Sequence, residues 1–225
     1  MKTLISVLTL TAAVSSAASA DLIAGWSIPN SIPAATTGSS YTYGAANQGV
    51  QTAGSSLSGF HALAATTWSS PAGNGSLYSL SSNNWSVGDY YQIAVSTVGF
   101  TDISLSWDQT RSGTGPSVFS VAVSTDGTNF TTILASYTVI ANVASGTILA
   151  WSTGGTPQSA FTTTISAIAQ ASDAATVYFR FVNQSTVATG GTNRVDNILV
   201  NGTAIPTPGA LALLGLAGLV ARRRR

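Results

Sequence analysis

The chain has 225 residues, a formal charge of +1, only 7% charged residues and no cysteine. The missing cysteines exclude a disulfide framework and Cys-built zinc sites. The positive sign belongs to the two ends. Between them stand three arginines (Arg111, Arg180 and Arg194) against seven aspartates, a net of −4, too few cations to track phosphates, so nucleic-acid binding is excluded.

Met1-Lys2, an apolar run from Leu4 to Val14, and the small-x-small triplet Ala18-Ser19-Ala20 before Asp21 form a secretory signal peptide over residues 1–20. The body that follows, Asp21 to Ala204, has the length of one domain. Leu22 to Gly88 and Gly127 to Ser172 hold no Asp, Glu, Lys or Arg. Solubility there rests on Ser, Thr, Asn, Gln and Gly, and no ions steer charged partners.

Strand signals dominate the body. Tyr91, Ile93 and Val95 alternate with polar or small residues; so do Ile103, Leu105 and Trp107, then Phe119, Val121 and Val123, then Val177, Phe179 and Phe181. A period of two buries one face and wets the other. Strands are expected near 22–28, 60–68, 90–98, 102–109, 117–125, 129–139, 144–151, 160–166, 176–183 and 194–201. The short Gly- and Ser-rich spacers between them predict an all-β fold, an antiparallel β-sandwich of jelly-roll type. The weakly periodic stretch from Pro29 to Gly59 is read as either an irregular edge strand around Ser40 to Tyr43 or a flap.

Chemistry is sparse. His61 is the only histidine, no Gly-x-Ser-x-Gly elbow is present, and a structural or surface role is expected for it. There is no Glu, and Asp102 and Asp108 on the wet face of one strand stand about 20 Å apart at strand rise, so no carboxylate pair is read. No catalytic residue is assigned, and the chain reads as a non-enzyme. An Asp-based hydrolase is the weakest alternative.

Two binding readings remain. Sugars stack on exposed rings, and of Trp68, Trp85, Tyr90, Trp107 and Trp151, the turn-rich Asn83-Asn84-Trp85-Ser86 makes Trp85 the preferred glycan platform. Its structural alternative is an apolar plug at one end of the sandwich. Asp196 and Asn197, in Asn193-Arg194-Val195-Asp196-Asn197-Ile198-Leu199-Val200, offer oxygens to a structural calcium; the alternative is a surface pair of Arg194 and Asp196. No other cofactor is expected.

Ser124-Thr125-Asp126-Gly127-Thr128-Asn129-Phe130 is a hairpin turn in which glycine takes positive φ. It is similar to the Ser-x-Asp-Gly-x-x-aromatic turn of galactose-binding-like jelly rolls. It also looks like a sialidase Asp-box shortened by one residue.

At residues 205–225, Pro206-Thr207-Pro208 leads into thirteen small or aliphatic residues, Gly209 to Ala221, and four arginines, Arg222, Arg223, Arg224 and Arg225. Thirteen fall short of the ~20 an ordinary span needs, and the arginines would hold the end cytoplasmic. This order resembles the PEP-CTERM sorting signal of Gram-negative and related bacteria, with Thr207 where the family usually has Glu. The resemblance implies export, transient membrane retention, processing by an exosortase-like enzyme, and association with exopolysaccharide. The expected product is a cell-surface or extracellular-matrix protein with a structural or adhesive role; the alternative is a carbohydrate-binding module for neutral glycans.

Overall fold

In the strand Val177–Asn183, buried Val177, Phe179 and Phe181 alternate with half-exposed Tyr178, Arg180 and Val182. This strand is one of thirteen in the computed structural model, which describes residues 19–186 and 190–206. In chain order they are β1 (Ala20–Trp26), β2 (Thr36–Thr37), β3 (Ser40–Gly44), β4 (Ser56–Phe60), β5 (Thr67–Ser69), β6 (Leu80–Ser82) and β7 (Tyr90–Val95). Then follow β8 (Phe100–Arg111), β9 (Val118–Ser124), β10 (Thr131–Thr138), β11 (Thr162–Ile165), β12 (Val177–Asn183) and β13 (Asn193–Ala204).

Two antiparallel sheets result. The first runs β11-β8-β13-β6-β5-β2, with β1 also on β13; the second runs β10-β9-β12-β7-β4-β3. The chain crosses repeatedly between them, which makes the all-β sandwich that the spacing predicts. Between the sheets lies one core, centred on the fully buried Trp26, Trp68, Trp107, Tyr91, Phe119, Phe179 and Phe181. With no disulfide, apolar burial supplies the main driving force for the fold.

β13 organises the first sheet. Along one side it pairs with β8; along the other, its first residues pair with β6 and its last with β1. Asn197 takes φ 45°, and the register with β8 shifts between Asp196 and Leu199. This bulge inserts one residue, so Val195 and Ile198 both face the core, and Asp196 and Asn197 both turn outward.

Two expected strands are absent. Within 60–68, Ala62 gives its N–H to the Asp89 side chain and Thr66 gives its own to Leu63 O, so a turn separates β4 from β5. Residues 144–151 lie across the outer face of the first sheet, tied through Asn142 N–H to Arg111 O and Trp151 N–H to the Asn142 side chain. The Pro29 to Gly59 stretch contributes β2, β3 and the start of β4. Short, serine-rich β6 has no apolar alternation to announce it.

The hairpin turn forms between β9 and β10. Gly127 has φ 75°, the Ser124 hydroxyl donates to the Asp126 carboxylate, and that carboxylate accepts the N–H groups of Thr128 and Asn129. The Asn129 side-chain amide, which donates to the other carboxylate oxygen at 2.7 Å, together with these donors holds the Asp126 carboxyl well below its ordinary range.

Ala20, at the expected cleavage point, already pairs with Thr203 as the first residue of β1. Ala18, Thr207, Pro208 and Arg222 to Arg225 lie outside the described residues, and Pro206 is exposed. Among the described residues no helix is long and apolar enough to cross a membrane.

Candidate functional site

Three polar constellations stand out. The first was not legible as a site in the sequence. Asp89 Oδ2 lies 3.2 Å from His61 Nδ1, His61 Nε2 lies 3.1 Å from Ser82 Oγ, and Ser82 Oγ lies 3.1 Å from the Tyr91 hydroxyl. The Tyr91 hydroxyl donates to Asn193 O at 2.7 Å. Serine, histidine and aspartate thus meet in the order of a hydrolase triad.

The surroundings deny it that chemistry. His61, Ser82 and Asp89 are all at or below 1% exposure, and the imidazole is enclosed by Trp68 and Trp85. Proton counting agrees. Tyr91 donates to a carbonyl, so Ser82 must donate to Tyr91 and Nε2 to Ser82, which leaves Nε2 no lone pair with which to take a serine proton. Burial alone would raise the Asp89 carboxyl, but hydrogen bonds from His61, Ser86 and Ala62 outweigh it and hold the group below its usual value. The chain is a structural relay joining the two sheets. His61 is therefore a core histidine, in the structural role expected of it.

Trp85 is not an exposed platform. It is 4% exposed and packs against His61, Tyr91 and Phe119; Trp26, Trp68 and Trp107 are fully buried, and Trp151 is 5% exposed. Asn83, Asn84 and Ser86 around Trp85 are half-exposed, but its ring turns inward, where Phe119 and His61 reach it from distant parts of the chain. Trp85 belongs to the buried apolar core.

The second constellation is a carboxylate pair. Asp108 and Asp196 are cross-strand partners on the outer face of the first sheet, yet 5% and 0% exposed. Asp108 is therefore not wet as the alternation implies. The loop carrying Asn74 and Ser76 and the segment from Gln158 to Thr162 cover that face. Asp108 Oδ2 accepts the Asn74 and Asn197 amides, each at 2.8 Å, and its Oδ1 accepts the Thr162 hydroxyl. Asp196 Oδ2 accepts Asn74 N–H at 2.7 Å and the Ser76 hydroxyl at 2.6 Å. Its Oδ1 is buried without a partner. Burial, with a smaller push from the charge of Asp108, drives the Asp196 carboxyl up to about 6 against the hydrogen bonds it accepts.

This donor set does not fit calcium, which takes six to eight oxygens. N–H and O–H groups already occupy three of the four carboxylate oxygens, Asn197 presents its amide N–H₂ to Asp108, and no group of three or more His, Cys, Asp or Glu converges among the described residues. Nor do Arg194 and Asp196 form a surface ion pair. The one contact of that kind among the described residues joins His61 to Asp89 and is an ion pair only when the imidazole carries its second proton.

The third constellation is an open cleft of about 380 Å³ on the outer face of the first sheet. Ser81 of β6 and Arg194 of β13 sit side by side on its floor. Arg111 ends β8, and its Nε and one terminal nitrogen bind the carbonyls of Val139, Ser112 and Gly113. Ser112 and Thr192 exchange hydrogen bonds at 2.9 Å, and Asn142 closes the wall. The Arg194 guanidinium lies 5.1 Å from the centre of the Trp151 ring. Desolvation lowers its pKa to about 10, which leaves it charged at neutral pH.

No protein-family model matches the chain, and no curated protein does. Its fold is similar to solved structures at low identity. The K1 cleaved adhesin domain of Lys-gingipain from Porphyromonas gingivalis W83 shares 16% identity over 80% of this chain and 98% of that one, with a TM-score of 0.43. The CBM22-1 xylan-binding domain of Paenibacillus barcinonensis Xyn10C shares 8% over 85% and 100%, with a TM-score of 0.42. The CBM22-1-GH10 modules of Clostridium thermocellum xylanase 10B, complexed with xylohexaose, share 15% over 80% of this chain and 28% of theirs, with a TM-score of 0.43. At such distances nothing of those proteins' activities transfers to this chain.

Proposed function

We propose that this is an exported bacterial surface or matrix protein whose β-sandwich holds polysaccharide without cleaving it. The observation that carries the reading is the cleft on the outer face of the first sheet. Its volume of about 380 Å³ falls in the range of small-ligand sites, and hydroxyl and amide side chains line it, as sugar hydroxyls require. The two arrangements that could otherwise do hydrolysis, Ser82–His61–Asp89 and Asp108–Asp196, are sealed from solvent. Export rests on the signal peptide and on the sorting-signal pattern of residues 205–225, whose processing partner would be an exosortase-like enzyme.

Polysaccharide pull-down with the purified protein tests the binding half. Retention on at least one polysaccharide, lost when Ser81 and Asn142 are replaced by bulkier residues, supports it; uniform non-binding leaves a purely structural matrix role. Mass spectrometry of both termini from the native host tests the export half, and an intact Met1 and Arg225 would defeat it.

A further inference from the structure

The body has three cations, and their placement is unequal. Arg180 is spent on packing: its guanidinium lies 4.1 Å from the centre of the Tyr90 ring and 3.8 Å from that of Phe130, and its Nε binds Gln92. The other two, Arg111 and Arg194, line the same cleft. In a domain with stretches of more than forty residues lacking any ion, this convergence sets the electrostatic character of the site.

The two are also differently prepared. Arg111 is anchored through three backbone carbonyls, which fixes its fork and leaves its second terminal nitrogen uncommitted among the described residues. Arg194 is half-buried, stacked on Trp151, and has neither a hydrogen-bond nor an ion-pair partner among the described residues. Because Arg194 lines the open cleft, its N–H groups, strong donors in a rigid fork shaped for carboxylate, are free to bind a ligand there. The acidic residues nearest in the fold, Asp108 and Asp196, have their donors beneath the covering loops rather than in the cleft. Around the arginines stand Ser81, Ser112, Asn142 and Thr192, which offer neutral donors and acceptors.

We propose that this cleft binds acidic polysaccharide, with Arg194 and Arg111 receiving the carboxylates of uronic-acid units and the hydroxyl and amide residues receiving the sugar hydroxyls. The inference rests on the polysaccharide-binding reading and narrows it, replacing the neutral glycans that the ion-poor composition indicates. With a body charge of −4, net charge does not favour polyanions, so retention of one calls for a local cationic site.

The test measures binding of the full chain to polygalacturonate, to neutral xylan and to polyaspartate, for wild type and Arg194→Gln, at low and high salt. The expected result is binding to polygalacturonate in preference to both others. That binding weakens with salt and falls about tenfold or more in Arg194→Gln, the scale of one lost charge-assisted contact. Thermal melting checks that the variant folds, and the salt dependence of the wild type carries the test if it does not. Xylan bound as well as polygalacturonate, with no effect of Arg194→Gln, overturns the acidic inference and leaves the polysaccharide reading standing. Polyaspartate bound equally tightly overturns sugar recognition, and no binding to any polymer overturns both.

Discussion

Replacing Asp196 with Asn removes a charge that the fold holds at a cost. The Asp196 carboxyl is fully buried, one oxygen has no partner, and its pKa rises from 3.8 to about 6. A carboxyl raised in the native state binds its proton there more tightly than in the unfolded chain. Its contribution therefore favours folding at low pH and diminishes as pH climbs from about 4 to about 6, after which it is level. A difference of about 2 units corresponds to roughly 3 kcal/mol. Asn keeps an oxygen for Asn74 N–H and the Ser76 hydroxyl but does not titrate. Urea unfolding followed by tryptophan fluorescence, at pH values on either side of that window, gives the variant-minus-wild-type stability. Other titrating groups largely cancel in that difference, so it should move in favour of the variant by roughly 3 kcal/mol from the acid to the neutral side. Two pH profiles that stay parallel would refute the account of the buried pair.

Tyr91→Phe deletes the hydroxyl that joins Ser82 to Asn193 and should cost about 1–3 kcal/mol in urea unfolding, because it leaves buried partners unmatched. Asp89→Asn should destabilise the fold most at neutral pH. Hydrogen bonds keep the Asp89 carboxyl below its usual range, so its contribution is present above the unfolded pKa and is lost as pH falls through the folded one; the deficit should shrink in acid unfolding. Gly59→Ala drives a Cβ into the Trp68 ring and should cost about 1–3 kcal/mol by overpacking, read as a lower melting temperature. Trp85→Ala should lower stability by about 3–5 kcal/mol, and polysaccharide binding by the fraction that remains folded should be unchanged.

The sandwich was legible where side chains alternate without interruption. β8, β9, β12 and the second half of β13 place apolar residues at a period of two, and the structure forms strands there as read. The site was legible only in part. Asp196 and Asn197 are visible as polar residues in a closing strand, but the positive φ at Asn197 that turns both outward carries no sequence signal. Asp108 reads as wet because alternation reports which side of a sheet a residue faces, not whether a loop then covers that side. Ser82 and His61 are 21 residues apart in segments without shared periodicity. Only the return of β6 beneath β4 and β7 brings them together. Arg111 and Arg194 are visible as rare cations, yet their meeting depends on the β8–β13 register, which no local pattern encodes.

β13 connects the cleft to the C-terminal edge of the domain. Arg194 lies near one end of the strand and Ala204 at the other, about 30 Å along its axis at strand rise, and β8 and β1 grip the intervening backbone from both sides. Tension between a captured polymer and a tether beyond Ala204 would run along that strand. Its ladder bonds lie across the pull and would bear the load together in shear rather than unzip one at a time, a mechanically resistant geometry.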